Sequence, residues 1–408
     1  MIRVKNEGKV SQKRRIRKNI ILKALKNHGT LSLSAISKQT ELTVTMVSEL
    51  IKELEADKLV KLIELTDLKV GRPPTAYALN PEGAYFLGLH LSKGFTNVVV
   101  LNFSQDVLYR DQIEPVNLKD SSVTLEQMKN YIHEACAQSG ISTSDLTGIG
   151  VALPGLVDSS TGTSYTHLTD SDFRGELESI VGVPVFLDND VNAMTYGEME
   201  FGEAKDVGNA AYMNIGWGIG MGIILDGKLY RGSTGFSGEF GHIYVDEEGA
   251  LCDCGKNGCL EAVASGKAMT EGCKKLLAEG ESSVLMKMAD GDPQKVTLEM
   301  VIEAARGGDA FALREIQRAG TYIGKALSSF INLFNPELIV LGGMMSNAQE
   351  LLLYPVRLAV MQFSLKELHE GCKIKCSKLG YWAGPLGATT MVSRLLFEVD
   401  HLHVDRYV

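Results

Sequence analysis

The sequence predicts an α/β protein in two parts, a small basic head built from short helices and a larger acidic body in two α/β halves. Three observations carry that expectation. At 408 residues the chain is too long for one ordinary hydrophobic core, so two or three domains are needed. Charge is divided unevenly: residues 1–80 hold 16 Lys/Arg against 8 Asp/Glu, and the remainder holds 25 against 42. The apolar pattern changes texture at Asn80-Pro81-Glu82-Gly83, from short helical faces before it to strands interleaved with helices after it.

The head comes first. Arg3, Lys5, Lys9, Lys13, Arg14, Arg15, Arg17 and Lys18 crowd its start, and the first dozen residues are expected to form a disordered arm. From Arg15 the apolar residues Ile16, Ile20, Ile21, Ala24 and Leu25 repeat at helical spacing and stop at His28-Gly29. A second short helix runs from Ser32 or Ser34 through Ala35 and Ile36 to Lys38. After a tight connection at Thr40-Glu41-Leu42, Thr43 caps a third helix that turns Val44, Val47, Leu50, Ile51 and Leu54 inward. Residues 59–65 alternate like a strand and pair with Thr75-Ala76-Tyr77-Ala78-Leu79 as a hairpin.

Three short helices and a hairpin are the plan of a winged helix-turn-helix, whose third helix offers its N-terminal side chains to the major groove of DNA. Here those side chains are Thr43, Thr45, Met46 and Ser48, with Lys52 further along. A helical oligomerisation module would share the helices but not the basic surplus or the wing. Arg72 stands extended between Gly71 and Pro73-Pro74, which suits a minor-groove hook because a narrow A·T groove attracts a guanidinium. A stiff wing tip or linker would use the same residues.

In the body, 85–91, 97–103 and 107–113 read as strands and 124–139 as a helix. Residues 146–153 form a buried strand ending in Pro154-Gly155, and 183–187 another ending in Asp188-Asn189-Asp190. A second series follows, with strands near 211–215, 220–225 and 228–231. After it come a long helix over 311–332, an apolar strand at 338–341 and a final helix opened by Gly384-Pro385. Between 228–231 and the long helix lies the densest chemistry of the chain. Cys252, Cys254 and Cys259 fall within eight residues, with His242 ten positions upstream of the first. Three thiolates and an imidazole are the donor set of a closed tetrahedral zinc site, which leaves no position for water and is therefore structural. Buried cysteines without a metal are the plainer alternative.

Glu239 precedes His242 by three residues and Glu261 follows Cys259 by two. E-x-G-H followed by C-x-C-G-x-x-G-C-x-E resembles the signature of the ROK family (repressors, open reading frames and sugar kinases), and the resemblance covers about residues 83 to 398. It implies two ribonuclease H-like (actin-type) α/β lobes with a cleft between them behind the winged head. The implied domains are 1–80, then 81–190 completed by 384–398, then 191–383 with the zinc loop. It implies that Glu239, His242 and Glu261 hold sugar hydroxyls, the same histidine also binding zinc. Residues 185–193, V-F-L-D-N-D-V-N-A, resemble the family's N-D-x-N-A motif, which adds Asn189 and Asp190 to the sugar-binding set. Asp190 stands where ROK kinases keep the general base. Alone, an Asn-Asp at a strand end is more often a turn or helix cap.

The phosphate half of a kinase is degraded. Where ROK kinases carry roughly D-x-G-G-T after the first strand, this chain has His90-Leu91-Ser92-Lys93-Gly94. The second loop, usually G-T-G-x-G, is Gly216-Trp217-Gly218-Ile219-Gly220, with an indole in the space a phosphate would enter. The expected protein is thus no enzyme, with Asp190 a vestigial base and no catalytic residues. It is a sugar-responsive transcriptional regulator, a repressor of carbohydrate-utilisation genes. The expected partners are operator DNA, a sugar or sugar-phosphate effector, structural Zn²⁺, and further copies of the chain in a homodimer or homotetramer. Alternatives are an active ATP-dependent sugar kinase with a DNA-binding head, and a repressor controlled by a transport-system protein. Seven cysteines, three in the cluster and four scattered, suit a reducing cytoplasm. No apolar run approaches the ~20 residues of a membrane helix, and the charged N-terminus is no secretory signal.

Overall fold

The computed structural model describes residues 9–64 and 75–397. Its internal contacts divide the chain into two compact units, Met1–Ala193 with Gly384–Val408, and Met194–Ala383. The first unit opens with helix α1 (Lys9–His28), strand β1 (Leu31–Ser32) and helices α2 (Leu33–Thr40) and α3 (Val44–Ala56). Residues 9–12 therefore belong to a helix and not to an arm. Lys, Gln and Arg are good helix formers, but apolar periodicity, which placed the start at Arg15, does not register them. Ser32 caps α2 by accepting from the Ala35 N–H at 3.2 Å, and Thr43 caps α3 by accepting from Met46 at 3.3 Å. Glu41 joins the two helices in the left-handed region, at φ 57°.

Ile21, Leu25, Ile36, Val47, Leu50, Ile51 and Leu54 interlock as the buried centre of this segment. Val44, expected inward, is 50% exposed. It sits on the right helical face but in the first turn, and periodicity fixes a face without saying how far the packing partner reaches along it. Strands β2 (Val60–Glu64) and β3 (Thr75–Leu79) pair antiparallel from Val60↔Leu79 to Glu64↔Thr75, and β1 adds to β3 through Leu31↔Tyr77. A two-residue strand is too short to show alternation, so β1 was not foreseen. Arg72 and its glycine-proline frame lie outside the described residues.

The rest of the first unit is built on strands β4 (Tyr85–Leu91), β5 (Thr96–Asn102), β6 (Val107–Ile113) and β7 (Leu146–Leu153), with α4 (Ser121–Gln138) before β7. A small ribbon of β8 (Val157–Asp158) and β9 (Thr163–Ser164), then α5 (Phe173–Val181), lead to β10 (Val185–Asn189) and α6 (Asp190–Phe201). The sheet order is β10-β7-β4-β5-β6, with β4, β5 and β6 antiparallel and β7 and β10 added in parallel.

The second unit repeats that order with its own strands. β11 (Ala210–Ile215), β12 (Ile219–Leu225) and β13 (Lys228–Tyr230) are antiparallel, and β14 (Leu338–Gly342) and β15 (Lys373–Cys376) add in parallel beside β11. Around this sheet run α7 (Leu260–Ala264), α8 (Gly266–Ala278), α9 (Leu285–Met288), α10 (Leu298–Arg306), α11 (Ala310–Phe334), α12 (Glu350–Phe363) and α13 (Lys366–His369). One continuous apolar cluster joins Met213 and Leu341 of the sheet to Ile316, Ile323 and Leu327 of α11.

Helix α14 (Ala383–Phe397) returns to the first unit and lies on its sheet. Its backbone approaches so closely that a Cβ on Gly88 would stand 2.0 Å from the Pro385 carbonyl oxygen, and one on Gly150 2.0 Å from that of Ala388. Only glycine fits there. At the other end of α14, Phe397 stacks on Phe103 at 5.3 Å and receives the Lys26 ammonium of α1 at 4.5 Å. Among the described residues no helix is long and apolar enough to cross a membrane.

Candidate functional site

His242, Cys252, Cys254 and Cys259 come together, and their ligand atoms all lie within 4.8 Å of one another. Cys252 Sγ is 3.6 Å from His242 Nδ1, and Cys254 Sγ is 3.6 Å from Cys259 Sγ. The loop folds back through a Cys252 N–H bond to the Lys256 carbonyl at 2.8 Å and a Val245 N–H bond to the Gly258 carbonyl at 2.8 Å. Gly258 holds φ 76°, and a Cβ there would stand 2.0 Å from the Asp246 carbonyl oxygen. A tetrahedral ion with ~2.3 Å bonds to sulfur separates its sulfurs by roughly 3.8 Å, so the donor set fits such an ion in number, chemistry and spacing. The cluster could hold a metal ion.

The other ring nitrogen of His242 faces outward, with Nε2 3.7 Å from Glu239 Oε2. A cation at Nδ1 would fix Nε2 as the protonated nitrogen and so as a donor. Burial raises the pKa of Glu239; the neighbouring His242 opposes that rise and the charge of Glu261 adds to it. Glu261 Oε2 accepts from the Ile219 N–H at 2.8 Å, which ties it to the turn between β11 and β12. Glu239, His242 and Glu261 thus form one polar group within the second unit.

Asn189 and Asp190 stand in the first unit, where β10 ends and α6 begins. Asn189 uses its whole amide on this turn. Nδ2 donates to the Gly155 carbonyl at 2.9 Å and to Asp190 Oδ1 at 3.0 Å, while Oδ1 accepts from Val191 and Asn192 N–H groups at 2.9 and 3.1 Å. That fills both donor and both acceptor positions of an amide. The cap that sequence offered as the plainer reading is therefore present, and it orients Asp190. Asp188, which sequence reasoning passed over, is fully buried beneath the turn and accepts from the Asn189 N–H at 2.8 Å and from Asn192 Nδ2 at 3.0 Å. The i,i+4 spacing of Asp188 and Asn192 was the available signal.

The degraded loops take definite forms. Ser92 closes the β4–β5 turn on itself: its N–H and Oγ both donate to the Phe95 carbonyl, at 3.0 and 2.8 Å, and Oγ accepts from the Phe95 N–H at 3.3 Å. Those backbone donors are committed to the turn. Trp217, in the β11–β12 turn, is 54% exposed. His90 is buried in β4, its ring against Gly384 of α14 and its Nδ1 without a hydrogen-bond partner. Burial alone pushes its pKa down to about 4.

That histidine gives the fold an acid-side weakness. Between pH 6.5 and 4 the unfolded chain binds the proton and the folded chain does not, so stability falls as pH drops through this window. At about 1.4 kcal/mol per pH unit the loss reaches about 3 kcal/mol. Urea midpoints at pH 7 and 4.5 should show it, and His90→Gln should remove most of the difference. An unchanged pH dependence in that variant would place the weakness elsewhere.

In the head, Thr43, Thr45 and Lys52 are exposed on α3, with Met46 and Ser48 half-buried beside them. Not all of the basic surplus faces solvent freely. Arg14 pairs with Glu53 of α3, and Lys18 reaches Glu53 and Asp57 at 3.0 and 2.9 Å. The Arg14 guanidinium, helped by Lys18, holds the Glu53 carboxyl down to about 2. Sequence counted these two cations toward a surface charge, but they tie α1 to α3.

Residues 87–394 match the ROK family. A xylose repressor of Bacillus subtilis is 28% identical over 391 residues, covering 95% of this chain and 96% of that one. A glucokinase of Halalkalibacterium halodurans is 36% identical over 317 residues, covering 76% of this chain and 95% of that one. Among solved structures, a ROK family transcriptional regulator described as a homolog of the E. coli MLC protein superposes with a TM-score of 0.83 at 29% identity, over 95% of this chain and 98% of that one. With a match across most of its length and an α/β fold shared with such a regulator, the chain belongs to the ROK family.

Proposed function

We propose that this chain is a sugar-responsive DNA-binding repressor of carbohydrate-utilisation genes, and not an enzyme. One observation carries the reading. Likeness to the xylose repressor spans 95% of this chain, whereas likeness to the glucokinase spans 76%, a difference about the size of the segment before residue 87. The extra segment is the basic one, with three short helices and a small sheet, and we read it as a winged helix-turn-helix over residues 1–80. Thr43, Thr45, Met46, Ser48 and Lys52 would meet the major groove, and Arg72 the minor groove. The remainder reads as two ribonuclease H-like lobes, 81–190 with 384–398 and 191–383.

In this reading Zn²⁺ occupies His242, Cys252, Cys254 and Cys259, and its role is structural. Asp190, Glu239, His242 and Glu261 hold hydroxyls of a sugar or sugar phosphate, and Asn189 orients Asp190. Operator half-sites call for a dimer or tetramer, and the setting is cytoplasmic. For the sugar to release DNA it must bind the DNA-free arrangement better, by about 1–3 kcal/mol for several-fold to over 100-fold derepression.

The 36% identity to a glucokinase keeps a kinase as the second reading. Asp190→Asn separates the two. In a sensor the carboxylate only accepts hydrogen bonds from the sugar. Charge-assisted bonds contribute roughly 1.5–3 kcal/mol, so the substitution should weaken sugar binding about 10-fold or more and blunt derepression. In a kinase it would spare affinity and remove turnover. The wild type should show no sugar-dependent ATP consumption with any sugar that raises its thermal midpoint. Turnover near the ~10 s⁻¹ typical of enzymes would overturn the sensor reading.

A further inference from the structure

The loop between β11 and β12 is pinned on both sides of one exposed aromatic ring. The Gly216 N–H donates to the Gly218 carbonyl at 3.0 Å, and the Gly216 carbonyl accepts from Gly266, the first residue of α8, at 2.8 Å. The Ile219 N–H is the group that Glu261 Oε2 holds, and a Cβ on Gly218 would stand 2.4 Å from that same oxygen. The turn Phe240–His242, which follows Glu239, closes on the loop as well. A Cβ on Gly241 would stand 2.2 Å from the Ile219 carbonyl oxygen. Ile219 is therefore where the segments carrying Glu239, His242 and Glu261 meet. Trp217 lies two residues before it, a reach of at most about 7 Å along the chain.

An exposed apolar side chain is by itself ordinary. Trp217 differs because its backbone is fixed and its neighbours are three groups suited to hydroxyls. A pyranose has hydroxyls around its edge and C–H groups on its faces. Carboxylates and an imidazole satisfy the edge, but a C–H face gains only from an apolar partner. An indole supplies one, and its negative π face attracts C–H hydrogens polarised by the adjacent oxygens. Charge selects the sugar over a nucleotide, whose base could use the same ring. Nucleotide phosphates would meet Glu239 and Glu261, and Lys267 in the first turn of α8 is already paired with Asp253 at 2.6 Å.

We propose that Trp217 is the stacking platform of the sugar site, positioning a pyranose by one C–H face while Glu239, His242 and Glu261 hold its hydroxyls. This rests on the sugar reading of those three residues and adds to it the ring that discriminates among sugars. An axial hydroxyl on the stacked face would lift a sugar off the indole.

The chain has two tryptophans, so Trp382→Phe leaves Trp217 as its one indole reporter. The full chain in that background is titrated with D-glucose, D-galactose, D-mannose, D-xylose, L-arabinose, N-acetyl-D-glucosamine and the 6-phosphates of the hexoses. Indole emission and thermal midpoint are followed together. Should Trp382→Phe fold poorly, the difference in emission between wild type and Trp217→Phe gives the same reading. The expected result is that every sugar that raises the midpoint also changes the emission of Trp217. Trp217→Ala should bind those sugars about 10-fold more weakly, the scale of one aromatic contact, and Trp217→Phe should stay within about 3-fold of wild type. Both variants should keep the sugar-free midpoint, because the side chain is half-exposed. Sugars that raise the midpoint without changing the emission overturn the stacking and leave the sugar reading standing. So does a Trp217→Ala protein that binds them as the wild type does. If no sugar moves either signal, or only ATP does, the sugar reading itself falls and the stacking falls with it.

Discussion

Cys252→Ser is expected to leave the purified protein with well under one equivalent of zinc and to weaken its response to sugar. Cys252 is buried and is one of four donors, and an oxygen in its place is a poor ligand for a soft site. Structural zinc in small fingers contributes about 10–16 kcal/mol of apparent folding free energy. Here the metal would organise a loop within a larger unit, so the loss should be local and still large. His242 lies between the two groups, with Nδ1 toward Cys252 and Nε2 toward Glu239. Without an ion the ring would be free to rotate and would lose its fixed donor, so sugar affinity should fall at least 10-fold. Metal analysis after chelator dialysis and amide exchange over residues 243–260 are the measurements. Cys372→Ala, at a buried thiol outside the cluster, is the control. A Cys252→Ser protein that still carries one zinc, or that loses it with no change in sugar affinity, would defeat the assignment.

Removing residues 1–80 should end specific operator binding altogether while leaving a folded body that keeps its zinc and its sugar-induced thermal shift. Specific sites are commonly bound 10³–10⁷ more tightly than random DNA, and nothing in the acidic remainder could replace that. Single cations refine the test. Lys52→Ala should weaken binding to all sequences and lower the slope of log affinity against log salt by about one unit. Lys18→Ala should leave that slope unchanged and destabilise the head, because Lys18 is paired with Glu53 and Asp57. If the truncated body still shifts operator DNA, the head is not the reader.

Much of this was legible before any coordinates. Strands 85–91, 107–113 and 146–153 fall where alternation and apolar runs put them, and the caps at Ser32 and Thr43 follow from hydroxyls standing just ahead of apolar periodicity. Residues 267–310 gave nothing, yet α8, α9 and α10 lie there. The apolar spacing of Met269, Cys273 and Leu277 was present but was broken up by glycines and acids on either side. Helix α12 was hidden by Pro355, a breaker in isolation. It is tolerated because Gly320 of α11 makes room, with a Cβ there only 2.7 Å from the proline ring. At the site, spacing named the four clustered ligands because they are near in sequence. It could not say that Asn189 is fully engaged by its own turn, or that Arg14 and Lys18 are claimed by α3. Those facts depend on which groups meet across distance, and one-dimensional pattern carries no such information.

Helix α14 has a consequence for how the protein is made. Gly88 and Gly150 leave a bare strip on the first sheet that only residues 383–397 can cover, and some 190 residues of the second unit are synthesised in between. At the ~5–20 residues per second of a ribosome, that strip waits on the order of 10–40 s on the nascent chain, an apolar surface open to chaperones and to neighbouring polysome products. The head is translated first, yet the Phe397 ring that receives Lys26 arrives only with the end of α14. A stop codon placed before α14 would therefore spare the whole head and still leave the messenger's earliest product without its support.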